Sequence, residues 1–112
     1  MPRLWTFGDS NTAPYDINIG WSKEYFEWKK RPVKVYGELI SKMLNYELIN
    51  LGKGTSDNYT IFNEVCNAME DINENDIILI GWSDYLRFRL VNDKDEWVSI
   101  ILCGHSVGKM IL

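Results

Sequence analysis

Histidine occurs once in this chain, at His105. A centre built from several imidazoles is therefore excluded, and the common zinc sites with it. Cysteine is nearly as scarce. Cys66 and Cys103 stand far apart and match no metal or redox spacing, so both read as buried or half-buried free thiols, which suits a reducing compartment. Positive charge is in deficit: 12 Lys and Arg against 16 Asp and Glu give a net charge of −4, and the pI is about 4.9. Such a balance offers no bulk attraction to a phosphate backbone, so nucleic acid is not an expected partner. No apolar run is long enough to span a bilayer. No basic segment leads into an apolar one near the N-terminus, so no secretory signal is read and a cytoplasmic location is expected. Internal repeats and low-complexity tracts are also missing. Gly52-Lys53-Gly54-Thr55 superficially suggests a nucleotide loop, but the glycine that should stand four residues before the Gly-Lys-Ser/Thr is absent. No cofactor is expected.

What the chain does have is apolar and aromatic substance. Its 112 residues are 46% hydrophobic and 13% aromatic, enough for one domain, residues 1–112, with a real core. It is organised around Leu4-Trp5-Thr6-Phe7-Gly8-Asp9-Ser10-Asn11. Residues 4–7 read as a strand that stops at a Gly-Asp-Ser turn. In a doubly wound α/β sheet, ligands bind beyond the carboxyl ends of the strands. A serine displayed there is a candidate nucleophile; the plainer alternative is that Ser10 caps the next helix.

Three further elements follow the same logic. Trp21, Tyr25 and Trp28 share helical spacing, so a short helix is expected, either walling a pocket beside Ser10 or covering the flank of the core. Pro32 is read as the start of a helix with Val33, Tyr36, Ile40, Met43 and Leu44 on its apolar stripe and Asn45 as its stop. Residues 46–50 make a second strand, so the unit is βαβ with parallel strands. The segment Asn50-Leu51-Gly52-Lys53-Gly54-Thr55-Ser56-Asp57-Asn58 then feeds a helix capped by Ser56 or Asp57, with the stripe Ile61, Phe62, Val65, Cys66, Met69 and Ile72. A glycine loop at a helix N-terminus presents backbone N–H groups to an anion or an oxyanion. Residues 76–81 form a third strand, covered on both faces, ending in Gly81-Trp82-Ser83-Asp84. Three strands thus deliver polar, glycine-bearing loops to one sheet edge.

With these blocks in order, the chain resembles the GDSL, or SGNH, hydrolase family over residues 4–89. Phe7-Gly8-Asp9-Ser10-Asn11 is similar to the first block of that family, the Asn50-led loop to its second, and Gly81-Trp82-Ser83-Asp84 stands where its third should be. The loops most resemble those of members from phages and large viruses. The resemblance implies a flavodoxin-like three-layer α/β/α sandwich with a parallel sheet. It implies a serine esterase acting on acyl or acetyl esters, with a small-molecule or carbohydrate ester as substrate. Ser10 would be the nucleophile. Ser10, Gly54 or Thr55, and Ser83 would form the oxyanion hole, and Asp9, Asn11, Trp82, Asp84 and Arg87 would contact substrate. Two departures stand out. Ser83 replaces an asparagine, and the Asp-x-x-His block is missing, because Leu102 stands three residues before His105. His105 is still the sole candidate base, and the chain covers about the first half of such a domain.

The departures leave other readings open. One is a non-catalytic SGNH-like binding or assembly module, such as a component of a virus particle; another is a small flavodoxin-like phosphate or nucleotide binder. Residues 86–91 and 97–102 are expected as strands around a polar turn, with Arg87 and Arg89 either solvated or holding an anionic or sugar substrate. The third strand is expected in the centre of the sheet. Residues 97–102, or a second copy of the chain, would cover its far edge.

Overall fold

The computed structural model describes residues 1–54, 56–84 and 87–101, and it is an α/β structure with a three-stranded parallel sheet. In chain order the elements are β1 (Arg3–Gly8), α1 (Gly20–Lys29), α2 (Tyr36–Leu44), β2 (Glu47–Asn50), α3 (Asn58–Ala68), β3 (Ile77–Gly81), β4 (Arg87–Val91) and β5 (Trp97–Ile101). The sheet order is β2-β1-β3. Register pairs Leu4 with Leu48 on one side and with Ile77 on the other.

β1, not β3, is therefore the middle strand. Leu4 and Phe7 are fully buried, whereas Ile78 and Ile80 of β3 are each 37% exposed. The chain lays β2 on one side of β1 and then crosses over to place β3 on the other. Side chains alternate across a strand, and each face of β1 has its own helix. Trp5 and Phe7 stack on each other and pack with Ile61 and Ala68 of α3. Thr6, on the opposite face, lies against Gly37 of α2, where an added Cβ would stand 3.1 Å from the Thr6 methyl.

α2 begins at Tyr36, four residues later than Pro32. Val35 is buried and extended, with φ −84° and ψ 163°, and proline suits an extended approach as well as a first turn. Asn45 ends the helix as expected, in the left-handed region at φ 57°. Asp57 caps α3, its carboxylate accepting from the Thr60 N–H at 2.7 Å. α3 buries Ile61 and Ala68 and half-buries Val65, with Ile72 beyond it, while Phe62 and Cys66, and Met69 just past its end, are exposed. Cys66 is thus not a buried thiol, and Cys103 lies outside the described residues. Residues 62, 66 and 69 repeat with the same helical period as 61, 65 and 68, one step of 100° around the axis. A helix on a sheet buries one such stripe, and the period alone does not say which.

β5 does not lie beside β3. It pairs antiparallel with β4 in a separate two-stranded sheet, Arg87 opposite Ile101 and Val91 opposite Trp97. The cause is local. The Asn92 carboxamide oxygen accepts from the N–H groups of Lys94 and Glu96, both at 2.9 Å, and the Asn92 N–H donates to the Glu96 carbonyl. A closed polar turn favours a hairpin over the long crossover that parallel pairing demands. Among the described residues, no helix is long and apolar enough to cross a membrane.

Candidate active site

β1 ends at Gly8, and residues 9–13 make a tight turn. The Asp9 carbonyl accepts from the N–H groups of Thr12 and Ala13, both at 3.0 Å, and the Asp9 carboxylate accepts from the Asn11 N–H at 3.0 Å. Such side-chain-to-backbone bonds are the usual work of aspartate in turns. No helix starts here, because α1 opens only at Gly20 after Ile19, so Ser10 is not a helix cap. Ser10 and Asn11 stand exposed at the turn's tip.

Thr12 is the buried foot of this turn, 2% exposed. Its hydroxyl shares a 2.8 Å hydrogen bond with the Tyr36 hydroxyl. Its carbonyl accepts from the Asn50 carboxamide at 2.8 Å, and the oxygen of that carboxamide accepts from the Gly52 N–H at 2.9 Å. Gly8, Gly52 and Gly81, one from the end of each parallel strand or just past it, crowd against Thr12. A Cβ on Gly8 would meet the Thr12 side chain and stand 2.9 Å from the Gly81 carbonyl oxygen; one on Gly52 would stand 2.7 Å from the Ala13 nitrogen. Here glycine is required by close approach. Thr12 and Tyr36 were not legible as site residues, since Tyr36 reads as part of an apolar stripe.

The glycine loop is fastened to the same edge. The Lys53 N–H donates to the Gly8 carbonyl at 3.0 Å. Among the described residues of the loop, Gly54 lines the pocket at Ser10. That pocket holds about 360 Å³ and is walled by Ser10, Pro14, Tyr15, Ile19, Trp21 and Gly54, among others. The aromatic excursion after Ser10 therefore does wall a pocket. Trp21 meets Tyr15 edge to face, with ring centroids 4.7 Å apart, while Trp28 is 71% exposed and covers no core.

The remaining expected residues lie nearby in different settings. Arg87 is neither solvated nor open to the pocket. Its guanidinium donates to the Ser56 carbonyl at 3.2 Å and stands 3.9 Å from the Asp9 carboxylate. It ties the serine turn to the segment that precedes α3. The Ser83 N–H donates to the Asn58 side chain at 2.6 Å, and the Ser83 hydroxyl is buried with no hydrogen-bond partner among the described residues. Ser83 does not line the Ser10 pocket. Trp82 and Asp84 are exposed. Thr55 and His105 lie outside the described residues, so no histidine is among the described ones.

No family model, curated protein or solved structure matches the chain. The site must be argued from its chemistry. The described residues place an exposed serine at the carboxyl end of a central parallel strand, beside a backbone loop at a helix N-terminus, and such a serine acts as a nucleophile only when a base is supplied.

Proposed function

We propose that this chain is a serine-esterase-type domain of the GDSL/SGNH class, acting on an acyl or acetyl ester of a small molecule or carbohydrate. The fold we assign to it is a flavodoxin-like three-layer sandwich, a reading supported by the parallel order β2-β1-β3. The observation that carries the proposal is the position of Ser10, exposed on a turn at the switch point of the sheet and opening on a pocket shared with Gly54. Ser10 attacks the ester carbonyl as a base takes its proton; the ester C–O bond breaks, the alcohol leaves with that proton, and water then releases the acid and restores Ser10. The backbone N–H groups of Ser10 and of the loop at Gly54 and Thr55 stabilise the developing oxyanion, the role in which preorganised donors contribute most. Ser83 stands at the third block, but its hydroxyl is buried and outside the residues that line the Ser10 pocket, so the donors we assign are the backbone N–H groups. The sole histidine, His105, is the candidate base and must come within about 3 Å of the serine hydroxyl.

A second reading is favoured by one observation. Among the described residues, no side chain hydrogen-bonds the Ser10 hydroxyl, and a serine without a base is a weak nucleophile. The chain would then be a non-catalytic binding or assembly module on the same scaffold. Labelling with a fluorophosphonate probe separates the two. Covalent labelling of the native chain that disappears in Ser10→Ala supports the esterase. Absence of labelling in the folded native chain rejects it in favour of the module.

A further inference from the structure

The β4–β5 hairpin carries a feature that the Ser10 chemistry does not use. Arg87 and Arg89 leave β4 on the same face, because side chains alternate along a strand. Arg87 is engaged with Asp9 and Ser56. Arg89 is held in another way. Its guanidinium carbon lies 4.6 Å from the centroid of the Tyr59 ring and 5.0 Å from that of Trp97. Tyr59 comes from the first turn of α3 and Trp97 from the start of β5. The three residues line a cavity of about 230 Å³.

Both rings are largely exposed, 63% for Tyr59 and 64% for Trp97. They contribute little to the core, and both lie within cation–π distance of the Arg89 guanidinium. Among the described residues no carboxylate or carbonyl accepts a hydrogen bond from that guanidinium, although Asp93, Asp95 and Glu96 lie in the adjoining turn. Contact with aromatic rings engages the faces of a guanidinium and leaves its N–H edge available. Two parallel N–H groups on that edge match the two oxygens of a carboxylate.

We propose that Arg89, flanked by Tyr59 and Trp97, is a binding subsite for a carboxylate carried on a ring, whether an acidic sugar or an aromatic acid. The rings position the fork and offer the ligand's own ring an apolar surface. Two residues of strand span about 7 Å, so the subsite starts roughly one sugar ring from Arg87 and the Asp9 it touches. A ligand held at Arg89 can extend toward Ser10. That extension rests on the proposed ester chemistry; the binding itself does not.

The test titrates the full chain with galacturonate and its uncharged methyl ester, and with benzoate and benzamide, following the Trp97 indole N–H and the Tyr59 ring by NMR. Shifts with one or both acids and none with the matching neutral compound support the subsite and say which ring it takes. Arg89→Gln should weaken acid binding about tenfold or more, the scale of hydrogen bonds to a charged group. Equal binding of acid and neutral compound, or no binding of either acid at millimolar concentration, overturns the proposal without any variant. Acid binding unchanged in Arg89→Gln overturns it too. Fluorophosphonate labelling of the same sample is read separately. Labelling without acid binding removes this subsite alone, and acid binding without labelling removes the ester chemistry alone.

Discussion

Gly52 and Gly54 stand two residues apart in one loop, and the structure assigns them opposite tolerances to alanine. A Cβ at Gly52 would lie 2.7 Å from the Ala13 nitrogen, 2.8 Å from the Thr12 methyl and 2.9 Å from the Thr12 carbonyl carbon. Two of these neighbours are backbone atoms of the serine turn, so no rotamer change relieves them. Overpacking of this kind costs about 1–3 kcal/mol. Reduced freedom of the unfolded chain returns about 0.4–1 kcal/mol of that, leaving a net loss of about 1–2 kcal/mol. A Cβ at Gly54 would meet nothing within 4 Å, so Gly54→Ala should be neutral or stabilising by up to about 1 kcal/mol. Urea unfolding measures both. With a slope of about 1.5 kcal/mol per molar, Gly52→Ala should lower the midpoint by roughly 1 M and Gly54→Ala should not lower it. Because the Gly52 clash pushes on the turn that holds Ser10, fluorophosphonate labelling at Ser10 should slow in Gly52→Ala even where the protein is fully folded. Equal midpoints for the two variants would refute the close approach of loop and turn on which the site description depends.

Other perturbations follow from single side chains. Ser10→Ala should leave the unfolding free energy within about 0.5 kcal/mol of the native value, since the residue is exposed; calorimetry checks this. Asp57→Ala removes the cap of α3 and should cost about 1 kcal/mol in urea unfolding, with Asp57→Ser recovering most of it. Asp76 accepts from the Asn73 N–H, from the Trp5 indole and from the Arg3 N–H, and it pairs with the Arg3 guanidinium at 3.2 Å. Together these lower its pKa from 3.8 to about 2, the Asn73 bond being the largest cause and burial opposing it. A depressed folded pKa means stability that is fully present above about pH 4 and lost as pH falls to about 2. Unfolding midpoints measured from pH 5 to 2 should fall more steeply for the native chain than for Asp76→Asn.

Much of this arrangement was legible because it rests on local rules. The uncharged run before Gly8, the continuous apolar run before Gly81 and the cap at Asp57 each declare an element by composition alone. The convergence of their loops follows once the strands are parallel. What was not legible depends on choices between equivalent local options. Residues 61 and 62 head two helical stripes of equal period, and only the sheet beneath selects one. Residues 97–101 suit a strand anywhere, and the Asn92 turn decides that their partner is β4. Arg87 on an alternating strand looks solvated until Asp9 and Ser56 are brought to it from 78 and 31 positions away. Thr12 gives no signal of its own, because two of the three glycines that crowd it, Gly52 and Gly81, are distant in sequence and adjacent only in space.

The β4–β5 hairpin has a thermodynamic consequence of its own. A two-stranded sheet is marginal in water by itself, and among the described residues its packing partner is α3. Its amide hydrogens should therefore exchange with solvent by local opening, well before those of β1, which exchange only when the whole sheet comes apart. Arg87 makes that opening matter at a distance. Each time the hairpin lifts away, Asp9 and the Ser56 carbonyl lose their common guanidinium, and the serine turn is left to its own hydrogen bonds. The rate at which a small peripheral hairpin breathes thus becomes a clock for the order of the turn that presents Ser10.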